Sequence, residues 1–252
     1  MRKLLIIGVG AGDPDYITIQ AINALNEVDV FFVIDKGEEK DDLVRLRKEL
    51  CQKYIRDPSY RIVEAPDPER DRKAAAYASA VEDWYEKRAA IFERMIAEEL
   101  DENGCGGFLV WGDPTLYDST IRIVELIKAG ERVDFDYDVI PGISSVQALV
   151  ARYRLPINRI GEAIHVTTGR KLAAGLPPGV TNAVVMLDSQ NAYRTVDPEV
   201  EIYWGAYIGT ENEILISGKL RDVAEVIEAT RAKAREKHGW IMDTYLLRYP
   251  QK

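Results

Sequence analysis

The stretch Trp111-Gly112-Asp113-Pro114-Thr115-Leu116-Tyr117-Asp118-Ser119-Thr120 gathers residue types that bind and activate small molecules. It follows an apolar run, Phe108-Leu109-Val110, that reads as a buried strand, and it precedes Ile121 to Ile127, which reads as a helix. Open α/β sheets place their ligands here, just beyond the carboxyl end of a strand. Gly112 lets main chain approach a ligand closely. Pro114 stiffens the loop, and Ser119 is placed to cap the following helix. An ordinary strand-to-helix turn uses the same chemistry, so this loop gains meaning from others that match it.

Two more loops sit at strand ends. Gly8-Val9-Gly10-Ala11-Gly12-Asp13-Pro14 imitates a dinucleotide fingerprint, and Asp35 stands where a ribose-binding acid would. The fingerprint would need a glycine where Asp13 stands. A carboxylate followed by proline removes an amide donor and sets negative charge near a pyrophosphate, so nicotinamide or flavin binding does not follow. Pro141-Gly142-Ile143-Ser144-Ser145 ends another apolar run, and Ser144 or Ser145 can cap the helix after it.

The elements that must position these loops follow from periodicity. Strands are expected at Lys3–Val9, Val28–Ile34, Arg61–Ala65, Gly107–Trp111 and Phe135–Ile140. Helices are expected at Thr18–Glu27, with Ile19, Ile22 and Leu25 inward, at Asp41–Tyr54, along Asp71–Glu102 and at Thr120–Lys128. Asp67 to Asp71 reads as a solvated loop. This alternation predicts an α/β domain, residues 1–141, built on a parallel sheet with helices on both faces. Beyond it, strand candidates crowd together at Ala163–Thr168, Ala183–Leu187, Glu201–Ile208, Glu213–Ser217 and Trp240–Arg248, with one clear helix at Arg221–Lys237. That texture predicts a mixed, largely antiparallel α+β domain over residues 142–252.

Composition narrows the function. The 252 residues are 46% hydrophobic and 30% charged, and the formal net charge is -9. An acidic surface argues against nucleic acid as a partner while leaving room for a local basic pocket and an anionic small molecule. Cys51, Cys105, His165 and His238 lack metal-ligand spacing, so no metal site is expected. Two lone thiols fit a reducing cytoplasm. The apolar start, Leu4 to Ile7, runs straight into the first glycine loop and reads as a strand rather than a leader. No segment reaches the roughly 18 apolar residues of a membrane helix.

The Gly8-to-Pro14 loop with Thr18, the Gly112-Asp113-Pro114 loop and the Pro141-to-Ser145 turn stand in the order and spacing of the tetrapyrrole methylase family, which the chain resembles. The resemblance extends through Leu155-Pro156-Ile157-Asn158-Arg159-Ile160-Gly161-Glu162, Val184-Val185-Met186-Leu187-Asp188 and Tyr203-Trp204-Gly205-Ala206-Tyr207, so it spans both domains. It departs at Ala11, where most members carry proline.

The resemblance implies a two-domain fold with S-adenosyl-L-methionine held in the cleft between the domains, and S-adenosyl-L-homocysteine as product. Gly10, Trp111, Gly112 and Asp113 would hold its methionine end or ribose, and Leu116 would pack on it. Ser144 and Ser145 would reach it from the domain junction, while Met186 and Ala206 would line its adenine side. Within the family the pattern is most like the members that methylate C-1 of precorrin-5 and release acetate to give precorrin-6A, commonly as homodimers. Methyl transfer from a sulfonium then needs alignment and no protein nucleophile. Acetate loss would use a base within hydrogen-bond reach; Asp13, Asp113, Asp118, Tyr117 and Glu162 are candidates, with Tyr117 and Asp118 first. Lys36, Arg122, Arg152, Arg159, Arg170 and Lys171 are candidates for the substrate's carboxylates. The same fold could serve another acceptor, such as a different precorrin, diphthine or ribosomal RNA, or a non-catalytic tetrapyrrole-binding protein.

Overall fold

A computed structural model describes residues 1–35, 41–68 and 77–250. They form two compact units, Met1–Gly10 with Pro14–Ile143 and Ala11–Asp13 with Ser144–Lys252.

The first unit is a parallel sheet of β1 (Arg2–Gly8), β2 (Val30–Asp35), β3 (Arg61–Pro66), β4 (Cys105–Val110) and β5 (Phe135–Ile140), in the order β3-β2-β4-β1-β5. Alternation along β1 shows why both faces are covered. Leu4 and Ile6 enter one core with Phe92, Met95 and Ile96 of α3 (Tyr77–Glu99) and Ile123, Val124 and Ile127 of α4 (Thr120–Ala129). Leu5 and Ile7 enter the other with Ala21, Ala24 and Leu25 of α1 (Ile19–Leu25) and Leu50 and Cys51 of α2 (Asp41–Tyr54). Each fully buried Leu or Ile contributes about 1.5–3 kcal/mol. These strands are therefore fixed in register, and their carboxyl ends form a rigid platform for the glycine loops.

The second unit carries β6 (His165–Thr168), β7 (Asn182–Met186), β8 (Glu201–Ala206), β9 (Ile214–Lys219) and β10 (Asp243–Arg248), in the order β6-β7-β10-β8-β9. Only β6 and β7 run parallel; the other pairs are antiparallel. Trp204, Tyr245 and Leu247 pack there with Leu220, Ala224 and Ile227 of α7 (Leu220–His238). Helix α5 (Ser145–Arg152) opens the unit's main segment, and α6 (Gly169–Ala173) follows β6.

Several local expectations need correction. Ile19 is 78% exposed, because the buried stripe of α1 is the small-residue set Ala21 and Ala24 with Leu25. Helix α2, charged along much of its length, still buries Leu50 and Cys51. Along α3 the deepest residues are Phe92, Met95 and Ile96. Asp67 is only partly solvated: it holds both Nε and Nη2 of the buried Arg88 at 2.8 Å. Helix α6 and the 3-10 turn at Ala192–Thr195 were too short to show a period. Lys36, the side chain of Tyr77 and the first part of the expected Asp71–Glu102 helix lie outside the described residues. No helix among the described residues is long and apolar enough to cross a membrane.

Candidate active site

The loop ends of β1 and β4 are joined by main chain alone. Gly10 N–H donates to Gly112 O at 3.3 Å, and Gly112 N–H returns a bond to Gly10 O at 2.9 Å. Both residues sit in the left-handed region, with φ of 84° and 71°, where a side chain is strained. A Cβ on Gly10 would lie 2.9 Å from Tyr16. The exchange thus needs glycine on both sides, and it forms a short buried ribbon at the sheet's carboxyl edge.

Asp113 ties this ribbon to the turn after β5. One carboxylate oxygen accepts Thr115 N–H at 2.8 Å, and the other accepts Gly142 N–H at 2.8 Å. Burial pushes its pKa up, but the Thr115 hydroxyl and the Gly142 and Thr115 amides outweigh that and hold it below its usual value. The group is therefore an anion at neutral pH with a structural task. Leu116 N–H closes a turn onto Asp113 O at 3.2 Å. Trp111 Nε1 is buried and has no acceptor among the described residues.

The next residues divide their tasks. Tyr117 takes φ of 54° and is 46% exposed, and partial burial raises its pKa, so the phenol stays protonated at neutral pH. Asp118 Oδ1 accepts Thr120 N–H at 2.7 Å. Ser119, expected to cap α4, makes no side-chain cap bond; the Asp118 carboxylate satisfies the helix's first amide in its place.

In the second unit, Ser144 is the N-cap of α5, with its Oγ accepting Val146 N–H at 3.1 Å. Ser145 Oγ lies 3.0 Å from Thr244 Oγ1 on β10. Met186 ends β7 half-buried, opposite Thr244, and the next residue, Leu187, is 64% exposed at φ of 53°. Ala206 is fully buried in the core, so its methyl is a packing group. Behind the β7 end lies a charged network that sequence gave no sign of. Arg231 Nε is 2.8 Å from Asp243 Oδ2, and the same guanidinium donates to Asn191 Oδ1 and Asp188 O. Asp188 accepts Tyr245 OH at 2.8 Å and Ala192 N–H at 2.7 Å.

Other candidates have structural duties. Glu162 accepts Thr181 Oγ1 at 2.9 Å and Asn182 Nδ2, which takes it out of reach as a free base. Asp13 stands in the second unit's small Ala11–Asp13 segment. Arg122 lies over the Tyr85 ring at 4.9 Å, Arg152 bonds Glu213 at 2.7 Å, and Arg159 donates to Tyr249 O at 2.9 Å. Arg170 and Lys171 are exposed on α6.

The family model of Tetrapyrrole (Corrin/Porphyrin) Methylases matches residues 3–224. The chain belongs to the tetrapyrrole methylase family. Among curated tetrapyrrole methylases, a precorrin-6A synthase [deacetylating] of Sinorhizobium sp is 52% identical over 98% of this chain and 95% of its own length. A crystal structure of CobF, a cobalamin-synthesis-related protein of Corynebacterium diphtheriae, superposes with a TM-score of 0.86 at 38% identity, covering 98% of each chain. A uroporphyrin-III C-methyltransferase of Thermus thermophilus, solved with S-adenosyl homocysteine, superposes with a TM-score of 0.58 at 18% identity, covering 97% of this chain and 96% of its own. That last likeness speaks to the two-sheet fold.

Proposed function

We propose that this tetrapyrrole methylase transfers a methyl group from S-adenosyl-L-methionine to C-1 of precorrin-5 and releases acetate, giving precorrin-6A and S-adenosyl-L-homocysteine in cobalamin biosynthesis. The relatedness to the Sinorhizobium enzyme along nearly the whole chain carries this reading. We further propose that it works as a homodimer in the cytoplasm.

The residues present fit such a cofactor. The buried Trp111 indole N–H has no acceptor among the described residues, and adenosylmethionine carries several. Trp111, Gly112, Asp113, Leu116 and Gly10 would serve its amino-acid and ribose parts. Ser144, Ser145, Met186 and the main chain at Ala206 would serve the remainder from the second unit. When bound, the cofactor supplies a methyl group on a sulfonium, an electrophile whose transfer depends on alignment. Glycine-bridged strand ends suit that task, because their positions are set by two buried cores.

Acetate release needs water to add to the acetyl carbonyl; the C–C bond then breaks with its electron pair left on the ring carbon, and that pair forms the new bond to the methyl carbon as S-adenosyl-L-homocysteine departs with the electrons of the broken S–C bond. The protonated Tyr117 phenol suits a donor to the developing oxyanion. Asp118, anchored through Oδ1, has a second oxygen available to draw a proton from water. Incubation with precorrin-5 and a labelled methyl donor, followed by mass spectrometry, tests the proposal. The methylated, deacetylated corrin and free acetate are both expected. Methylation without acetate would reject the deacetylating activity, and no methyl transfer would reject the proposal outright.

A further inference from the structure

A small cleft of about 70 Å³, open to solvent, lies in the first unit at the carboxyl ends of β2 and β4. The buried Phe32, Phe92 and Phe108 back it, and its polar groups are Arg47, Arg88, Asp118 and Thr120. Strand β4 runs from this cleft directly into Trp111 and Gly112.

The two arginines differ. Arg88 is satisfied: Asp67 holds it through two bonds of 2.8 Å, and its guanidinium stacks on Trp84 at 4.2 Å. Arg47, reaching in from α2, makes one bond, from Nε to Leu109 O at 3.2 Å, and no carboxylate among the described residues closes an ion pair with it. Burial pulls its pKa down, and Asp118 opposes this by favouring the charged form. A guanidinium taken out of water without a close anion is costly. Its terminal N–H groups form a planar fork suited to a carboxylate.

We infer that Arg47 is a specificity-determining residue that receives a side-chain carboxylate of the substrate in this cleft. This rests on the reading that the substrate is an anionic tetrapyrrole. Sequence reasoning passed over Arg47 because it stands among six other charged residues of one helix, Asp41–Tyr54, with nothing local to distinguish it.

Binding of uroporphyrin III and of a neutral porphyrin with glycol chains in place of acids, followed by tryptophan quenching, tests the inference. S-adenosyl-L-homocysteine binding by calorimetry runs alongside. Arg47→Met should weaken uroporphyrin III about tenfold or more, the scale of one charge-assisted bond, and leave the neutral probe and the homocysteine ligand unchanged. Arg47→Lys should fall between, because it keeps charge and loses the fork. Unchanged uroporphyrin affinity in Arg47→Met, or equal loss of both porphyrins, overturns the inference while the methyltransferase reading stands. If Arg47→Met does not fold, full uroporphyrin affinity in Arg47→Lys overturns it. Wild-type protein that binds no S-adenosyl-L-homocysteine and transfers no methyl overturns the methyltransferase reading, and this inference with it.

Discussion

Asp113 accepts the Gly142 N–H at 2.8 Å, and through that one bond the loop after β4 is latched to the turn after β5. The two strands are not neighbours: β1 lies between them. The latch therefore spans three strand ends and holds the Gly10–Gly112 ribbon of the middle pair in place. A short carboxylate is suited to it, because its two oxygens can face different amides at once.

Removing the latch should cost stability and cofactor affinity together. Asp113→Ala loses charge-assisted bonds to two amides, and about 1–3 kcal/mol is expected by thermal or urea unfolding. The sign with pH follows from the depressed pKa. The carboxylate's contribution is fully present above its unfolded value near 3.8 and is lost as pH falls through the lower folded value. The stability gap between wild type and Asp113→Asn should thus be constant from neutral pH to about 5 and close in strong acid. A gap that does not change with pH would show that the charge carries none of it.

Gly112→Leu should abolish S-adenosyl-L-homocysteine binding in calorimetry while the fold persists. The left-handed φ of 71° costs a branched residue about 1–2 kcal/mol, less than the total stability of a typical domain, about 5–15 kcal/mol. Circular dichroism should stay native. Normal affinity in this variant would remove Gly112 from the cofactor loop.

Much of this architecture is legible in the chain because it is local. The β1 alternation, the Thr18 cap on Ala21 N–H at 3.0 Å and the Ser144 cap all arise within a few residues. Strand order is not local, so neither the Gly10–Gly112 exchange nor the Asp113–Gly142 bond could be read, although each glycine was singled out for its turn. Ser119 was favoured as a cap by residue type, yet Asp118, one residue earlier, reaches Thr120 N–H. Asp188, Arg231 and Asp243 meet only when β7, α7 and β10 fold together. Buried charges of that kind leave no periodic signal.

That network gives a third prediction. Burial raises the Asp243 pKa and Arg231 opposes it, so the pair is stable only as a unit. Arg231→Met would strand Asp243 and free Asn191, and a loss of about 3–5 kcal/mol is expected in urea unfolding. The double variant Arg231→Met with Asp243→Leu should recover part of it, since a well-packed apolar pair can replace a buried ion pair. No recovery would mean that the bonds to Asn191 and Asp188, together with the Trp204 indole N–H bond to Asp243 at 2.8 Å, outweigh the ion pair.

Tyr117→Phe tests the acetate-releasing step. The residue is 46% exposed and its phenol has no structural partner among the described residues, so stability should change by less than about 0.5 kcal/mol. Acetate release should slow about 100-fold, the scale of one lost oxyanion donor. Methyl transfer draws on the electron pair that acetate release leaves on the ring carbon, so it should slow in step, while S-adenosyl-L-homocysteine affinity stays unchanged in calorimetry. Quenched-flow mass spectrometry should show both products appearing together at the slower rate. A matching loss of that affinity would assign Tyr117 to positioning, and unchanged kinetics would leave acetate release to Asp118 and water.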